Sequence, residues 1–392
     1  MANTIFNRRN FLLLGATATV GMTAQALQAI PAKKKKEKKK KKIIYRTLGN
    51  TGIELPIVSM GVMKADNPNI LKAAYELGIR HFDTANSYQE GRNEEMVGNY
   101  FKDIPRDKVI ISTKIHPPKE GMSTEQFLEK FEESLKRLQM SYVDILYLHV
   151  CDNRAYTLDP RYLEALRRAK ESGKARFVGC STHINMAEVI NAAVDSKFYD
   201  VVLTSYNFRL KDDAELQKAL QRANDAGLGI VAMKIMAGGF LDKERKKPVN
   251  CKAALKWAIS NPLIHTSIPG LTNFEMLKEN WQVALNHNLD DQERGDLQLA
   301  MNDTGLYCHG CLTCSGQCPK NLPIPDLMRS YMYNYGYSYP AKAQTTVAQL
   351  NLSYNPCEGC PGCTVACPNG FDVRERITDI ARIKMVPTSF LV

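Results

Sequence analysis

Eight of the eleven cysteines in this 392-residue chain lie in two short runs that share one spacing. "CHGCLTCSGQCP", Cys308 to Pro319, reads C-x2-C-x2-C-x3-C-P, and "CEGCPGCTVACP", Cys357 to Pro368, repeats it. A lone CxxC pair fits a structural zinc ion or a disulfide. Two four-cysteine runs, each closed by Cys-Pro, fit something larger. Three thiolates at two-residue intervals fold around one corner of a cubane iron-sulfur cluster, while the fourth, followed by proline, reaches away. The segment that carries them is therefore expected to be a small appendage organised by clusters. The chain upstream is long enough for one barrel-sized domain, and 44% hydrophobic residues is the share of a globular protein.

The two runs resemble the bacterial two-cluster ferredoxin module, in which the fourth cysteine of each run serves the other cluster. That resemblance implies two 4Fe-4S clusters, one held by Cys308, Cys311, Cys314 and Cys367 and the other by Cys357, Cys360, Cys363 and Cys318. The interval from Cys318 to Cys357 is longer than a compact ferredoxin needs and carries "YMYNYGYSY", Tyr331 to Tyr339. Tyrosine at every second position fits a strand face, whereas the flanking "PDLMRS" and "AKAQTTVAQL" fit helices. These tyrosines are expected to pack around the clusters. Cys151, Cys180 and Cys251 form no spacing motif and are expected as buried thiols.

The net charge of +11 suggests nucleic acid until it is located. "KKKKEKKKKK", Lys33 to Lys42, contributes +8 and Arg8 with Arg9 +2, which leaves +1 for all the rest. The folded part is nearly neutral, so a nucleic-acid partner is not implied. The lysine run repels itself and reads as a disordered linker over residues 31–42. Residues 1–30 contain "NRRNFLLLGATATVGMTAQALQA", with paired arginines, a diluted apolar stretch and small residues at Ala24 and Ala26. This resembles a twin-arginine export signal. Tat export of a folded protein agrees with cluster loading in the cytoplasm and implies a periplasmic or cell-envelope destination. No internal segment is apolar for long enough to span a bilayer.

Between these ends, residues 43–302 alternate short apolar runs with amphipathic ones. "LPIVSMGV", "HFDTA", "VIISTK", "VDILYLH", "RFVGCS", "VVLTSYN", "GIVAMKI" and "HTSIPG" read as strands, each followed by a helical pattern such as "TEQFLEKFEESLKRL". Eight such units over about 250 residues predict an α/β fold, a (β/α)8 TIM barrel, followed over residues 303–392 by the small ferredoxin-like iron-sulfur domain. Barrels of this kind place their chemistry where the strands end, and there the sequence has Asp83, Tyr88, Lys114 and His149.

"YRTLGNTGIELPIVSMG", "FDTANSY", "STK", "LYLH", "GCSTH", "SYN" and "IPG" followed by "LKEN" stand in the order found in the aldo-keto reductases. With the cysteine runs, the chain resembles the bacterial subgroup with a C-terminal ferredoxin module. The resemblance implies interconversion of a carbonyl and an alcohol by hydride transfer with NAD(P)(H). Reduction builds negative charge on the carbonyl oxygen, so a proton donor must face it. Tyr88 is that donor, Lys114 is expected to lower its pKa, Asp83 to hold Lys114 charged, and His149 to orient the substrate. Ser181 matches the family position that bonds the nicotinamide amide. Thr182 stands where Asn is usual, Leu203 where Gln is usual, Tyr206 near the aromatic position, and Met233 where a stacking Tyr is common. Glu279 and Asn280 match the adenine-contacting pair, and Met276 replaces an Arg that often meets the 2'-phosphate, so the sequence does not choose between NAD and NADP.

The implied partners are a small-molecule carbonyl or alcohol substrate, such as a sugar or another hydroxylated molecule, and a redox partner protein for the clusters. Two further classes stay open: an electron-transfer protein whose barrel is a docking scaffold, and a binding protein of the cell envelope. The intact set of Asp83, Tyr88, Lys114 and His149 argues against both. Nicotinamide moves two electrons and a cluster one, and the sequence carries no flavin fingerprint to split the pair.

Overall fold

The computed structural model describes residues 42–118 and 120–391; the twin-arginine segment and all but the last residue of the lysine run lie outside them. Tyr45–Thr47 (β1) and Glu54–Pro56 (β2) pair as an antiparallel hairpin. Eight parallel strands follow: Met60–Gly61 (β3), His81–Asp83 (β4), Ile110–Ile115 (β5), Val143–Cys151 (β6), Ala175–Thr182 (β7), Val201–Ser205 (β8), Gly229–Met233 (β9) and Thr266–Ser267 (β10). They neighbour one another in chain order from β3 to β10. Parallel bridges Val58 to Ser267 and Gly61 to Gly270 bring the two ends together, so the sheet is a nearly closed (β/α)8 barrel.

Period-two alternation decides what fills it. Ile145 and Tyr147 of β6, Val201 and Leu203 of β8 and Val231 of β9 form one buried cluster with Leu48 and Leu55 of the hairpin region. The intervening Leu146, Leu148, Val202, Ile230 and Ala232 belong to the other cluster, with the helices. Gly179 on β7 is required here, because a Cβ on it would lie 2.6 Å from the Tyr147 ring and 2.5 Å from the Val201 carbonyl oxygen. The outer helices follow their own signals. Thr124–Leu138 starts at a capping box made by Ser123 and Gln126, and buries Phe127, Phe131, Leu135 and Leu138 at helical spacing.

Beyond the barrel, Ile324–Tyr331 is an α-helix that continues into a π-turn, Met332–Gly336, before the helix Pro340–Ala348. The tyrosine run is thus helical as far as Gly336, and spacing by four sorts its first four tyrosines into pairs. Tyr331 and Tyr335 have ring centroids 4.6 Å apart, with Arg376 over Tyr331, while Tyr333 and Tyr337 lie 6.4 Å apart with Lys234 over both rings. The second pair meets the end of β9 and does not simply wrap the cysteines as expected. Backbone bonds join this segment to the barrel: Gly239 N–H donates to the Gly336 carbonyl at 2.9 Å, and Asn185 N–H to that of Gly310 at 2.8 Å. The Arg209 guanidinium adds bonds to the Ala300 carbonyl at 2.7 Å and that of Asp303 at 2.9 Å. Among the described residues no helix is long and apolar enough to cross a membrane. Cys151 and Cys180 are buried thiols and Cys251 is half-buried.

Candidate active site and cysteine-ringed cavities

Strands β4 and β5 run side by side, with Asp83 opposite Ser112 and Lys114 two residues further along. That register brings a buried polar chain to the C-terminal mouth. The Lys114 ammonium donates to Asp83 Oδ1 and, at 2.5 Å, to the Thr84 carbonyl, and lies 3.5 Å from Tyr88 Oη. Ser112 Oγ donates to Asp83 Oδ2 at 2.6 Å; its proton thus committed, it accepts from His81 Nε2 at 2.9 Å. Lys114 is 1% exposed and Asp83 2%, so they compensate each other's charge at that depth, and buried Glu94 also acts on Lys114. The ring of His149 meets that of Tyr88 edge-on at 5.9 Å. The structure therefore gathers Asp83, Tyr88, Lys114 and His149 in one place. It adds Ser112 and His81, which sequence reasoning passed over although Ser112 shares the strand face of Lys114.

His149 owes its aim to a local irregularity. The pairing of β6 with β7 shifts register between Leu148 and Cys151, and Val150 has φ 61°, a left-handed conformation unfavourable to a β-branched residue. Ser181 Oγ accepts from Val150 N–H at 3.1 Å and holds the bulge. Such strain collects where function over-determines the backbone.

The electrostatics differ from expectation at Tyr88. Burial pushes its phenol well above 10, and Asp83, Tyr333 and Tyr339 push the same way, so the pull of the Lys114 ammonium, itself engaged by Asp83, does not prevail. Tyr88 therefore stands as a fully protonated acid. Burial also pushes His149 well below 6.5, with Lys114 and His116 adding to it, so the imidazole is neutral. Tyr333 is the phenol that moves toward neutrality: burial raises it, but Arg329 and Lys234 outweigh that and bring it to about 8.

His81 gives this network a pH signature. Burial holds its imidazole down at about 4, against Asp83 and Asp144 that pull it up. Unfolded chains take up this proton from about pH 6.5 downward and the folded protein only near 4. Stability is thus full above pH 6.5 and falls by about 3 kcal/mol as pH drops through that window. Denaturant unfolding at pH 7 and pH 4.5 is expected to show this loss on top of that from neutral His149, and His81→Gln to lessen the total by about the His81 share. An unchanged pH dependence in His81→Gln would contradict it.

The residues expected to bind cofactor are brought together only in part. Ser181 is tied to the β6 bulge, and Thr182 Oγ1 donates to the Ile184 carbonyl at 2.7 Å. Tyr206 turns away from the mouth: its ring stacks on Trp257 at 5.1 Å and its hydroxyl accepts from Asn261 Nδ2 at 2.8 Å. Glu279 and Asn280 lie on the helix Phe274–Leu285, with Glu279 exposed and Asn280 buried with Nδ2 unpartnered. Asn86 Oδ1, His149 Nδ1 and His183 Nδ1 are likewise buried without a partner. Orphaned polar atoms of this kind fit a site completed by a ligand.

The eight cysteines surround two cavities. One is ringed by Cys308, Cys311, Cys314 and Cys367, with Ile184 and Arg329 also in its wall. The other is ringed by Cys318, Cys357, Cys360 and Cys363, and its wall comes from the C-terminal segment alone. Each cavity thus takes three cysteines from one run and the fourth from the other. Among the described residues no three histidine, cysteine or carboxylate side chains converge tightly enough for a single ion. Thiols spread around a cavity suit the corners of a cubane better than one zinc ion, whose thiolates all lie ~2.3 Å from one point.

A parallel barrel with a buried Lys–Asp pair beside a tyrosine at its C-terminal mouth is the arrangement of an oxidoreductase. The aldo/keto reductase family profile matches residues 52–253, half of the chain, and the chain belongs to that family. A 4Fe-4S dicluster domain matches residues 307–372. L-galactose dehydrogenase of Arabidopsis thaliana is 28% identical over 281 residues, covering 61% of this chain and 87% of its own. L-glyceraldehyde 3-phosphate reductase of Escherichia coli K12 is 33% identical over 221 residues, covering 50% and 62%. The solved structure of an aldo-keto reductase from Bacillus halodurans in its holo form superposes with a TM-score of 0.54 at 22% identity. It covers 66% of this chain and 96% of that one, and shows the shared fold.

Proposed function

We propose that this protein interconverts a small carbonyl and its alcohol with a nicotinamide cofactor, and exchanges electrons with an external partner through two 4Fe-4S clusters. The observation that carries the proposal is the Asp83, Lys114 and Tyr88 chain with His149, at the barrel end that the first cysteine-ringed cavity also touches through Ile184. When bound, a nicotinamide supplies or takes a hydride and each cluster passes single electrons. Tyr88, kept protonated by burial, gives its proton to the carbonyl oxygen as negative charge grows there. Lys114 stabilises the phenolate left behind, and Asp83 fixes Lys114. Neutral His149 orients the same oxygen.

The unpartnered Asn280 supports the adenine contact with Glu279, and Met276 brings no cation to a 2'-phosphate. Cys308, Cys311, Cys314 and Cys367 would hold the cluster nearer the barrel, and Cys318, Cys357, Cys360 and Cys363 the outer one. The names of the two relatives support a hydroxylated, sugar-like substrate. Arg8 and Arg9 support Tat export to the periplasm or cell envelope, where a nicotinamide has to be retained and recycled in place. A second reading, an electron-transfer protein with the barrel as scaffold, draws on the internal engagement of Ser181, Thr182 and Tyr206. Steady-state assays on cluster-replete protein separate the two. Oxidation of NADH or NADPH with hydroxylated aldehydes is expected; no nucleotide turnover across sugar, aryl and aliphatic aldehydes would contradict the enzyme reading.

A further inference from the structure

One arginine belongs to two places at once. Arg329, on the helix Ile324–Tyr331 and 8% exposed, lines the cavity ringed by Cys308, Cys311, Cys314 and Cys367. Its Nη2 also donates to His183 Nε2 at 2.6 Å and to Tyr333 Oη at 2.7 Å. An arginine only donates, so His183 accepts through Nε2, carries its proton on Nδ1, and presents that buried N–H without a partner. His183 directly follows β7, and the Tyr333 ring lies under Lys234, which directly follows β9, so both stand at the C-terminal end of the barrel.

The backbone is equally close at this junction. A Cβ on Gly310, between Cys308 and Cys311, would lie 2.6 Å from the His183 carbonyl oxygen. The outer cavity has no such link, since no barrel residue lines it.

We propose that Arg329 is a positioning residue that couples the electron content of the cluster beside Cys308 to the barrel mouth. The inference rests on the two-cluster reading above. The step is transfer of one electron from the external one-electron redox partner, which is oxidised, to that cluster, which is reduced, with no bond made or broken, and it adds one negative charge beside the guanidinium. In a buried, low-dielectric setting that charge is felt by the groups that share Arg329, namely Tyr333 and His183. Linkage makes the effect reciprocal, so a change at Tyr333 alters the ease of reducing the cluster. A purely structural arginine would hold the module in place without this dependence.

Full-length protein, purified anaerobically with its clusters, is titrated with dithionite while the reduced clusters are followed by electron paramagnetic resonance. Arg329→Met is expected to lower the potential of one cluster by at least the equivalent of a tenfold shift in its reduced-to-oxidised ratio, about 59 mV for one electron. Tyr333→Phe removes the oxygen that engages the guanidinium and is expected to raise the same potential, and in both variants the second cluster stays put. Arg329→Lys keeps a charge without the fork, so it should load clusters normally and make the Tyr333→Phe shift disappear. Cluster-replete protein in which neither variant moves the first potential, or both clusters move alike, overturns the coupling alone. Wild-type protein with no iron overturns the two-cluster reading and this inference with it.

Discussion

Tyr88→Phe is expected to slow carbonyl reduction by about 10²- to 10⁴-fold, the usual contribution of a positioned proton donor. Phenylalanine keeps the ring that packs edge-on against His149 and loses only the hydroxyl at 3.5 Å from Lys114. Folding and nucleotide binding should therefore survive, which places the loss in kcat. The raised pKa of Tyr88 sharpens the expectation. A phenol that burial keeps protonated serves the reductive direction over the whole neutral range, so the wild-type reductive rate should not fall below pH 10 through loss of this proton. Undiminished turnover in Tyr88→Phe, measured with saturating nucleotide and aldehyde, would move the chemistry to another group. Tyr333, brought to about 8 by Arg329 and Lys234 against its burial, would be the next to test.

Cys367→Ala is expected to abolish the cluster ringed by Cys308, Cys311 and Cys314, although Cys367 belongs to the other cysteine run. Iron should fall from about eight to about four per chain, the content of one 4Fe-4S centre. Because Arg329 lines the emptied cavity and bonds His183, the damage should reach the barrel mouth. The reciprocal Cys318→Ala should strip the outer cavity, which touches no barrel residue, and leave the mouth intact. Iron analysis with the visible spectrum reads both. Loss of the outer cluster from Cys367→Ala would mean that each run keeps its own four cysteines.

What the sequence disclosed follows the range of the interactions involved. Strand positions rest on apolar runs that any window of six residues reveals, so each of the eight barrel strands overlaps a segment read from the sequence, with β5, β6 and β7 running one or two residues beyond it. Asp83, Lys114 and His149 could be placed because a parallel barrel turns every strand end toward one face. The long-range partners had no such signature. Nothing local to Arg329 marks it as the neighbour of His183, 146 positions away, and nothing in "YMYNYGYSY" shows that a π-turn would send Tyr333 and Tyr337 to Lys234.

The raised pKa of Tyr88 escapes the sequence for the same reason. Proximity to an ammonium could be read from spacing, whereas burial could not, and burial decides the sign. Tyr206 shows a further limit: a position matched by motif turned its side chain outward, onto Trp257. Residues 1–41 lie outside the described structure, so the export signal rests on Arg8, Arg9 and the stretch that follows them.

Native mass spectrometry of the full chain, purified without oxygen, weighs metal and organic cofactor on one molecule. Two increments of a 4Fe-4S cluster, about eight irons in all, together with a retained nicotinamide nucleotide are expected. Two zinc ions, or bare polypeptide with neither sulfide nor nucleotide, would contradict a reductase site wired to iron-sulfur clusters.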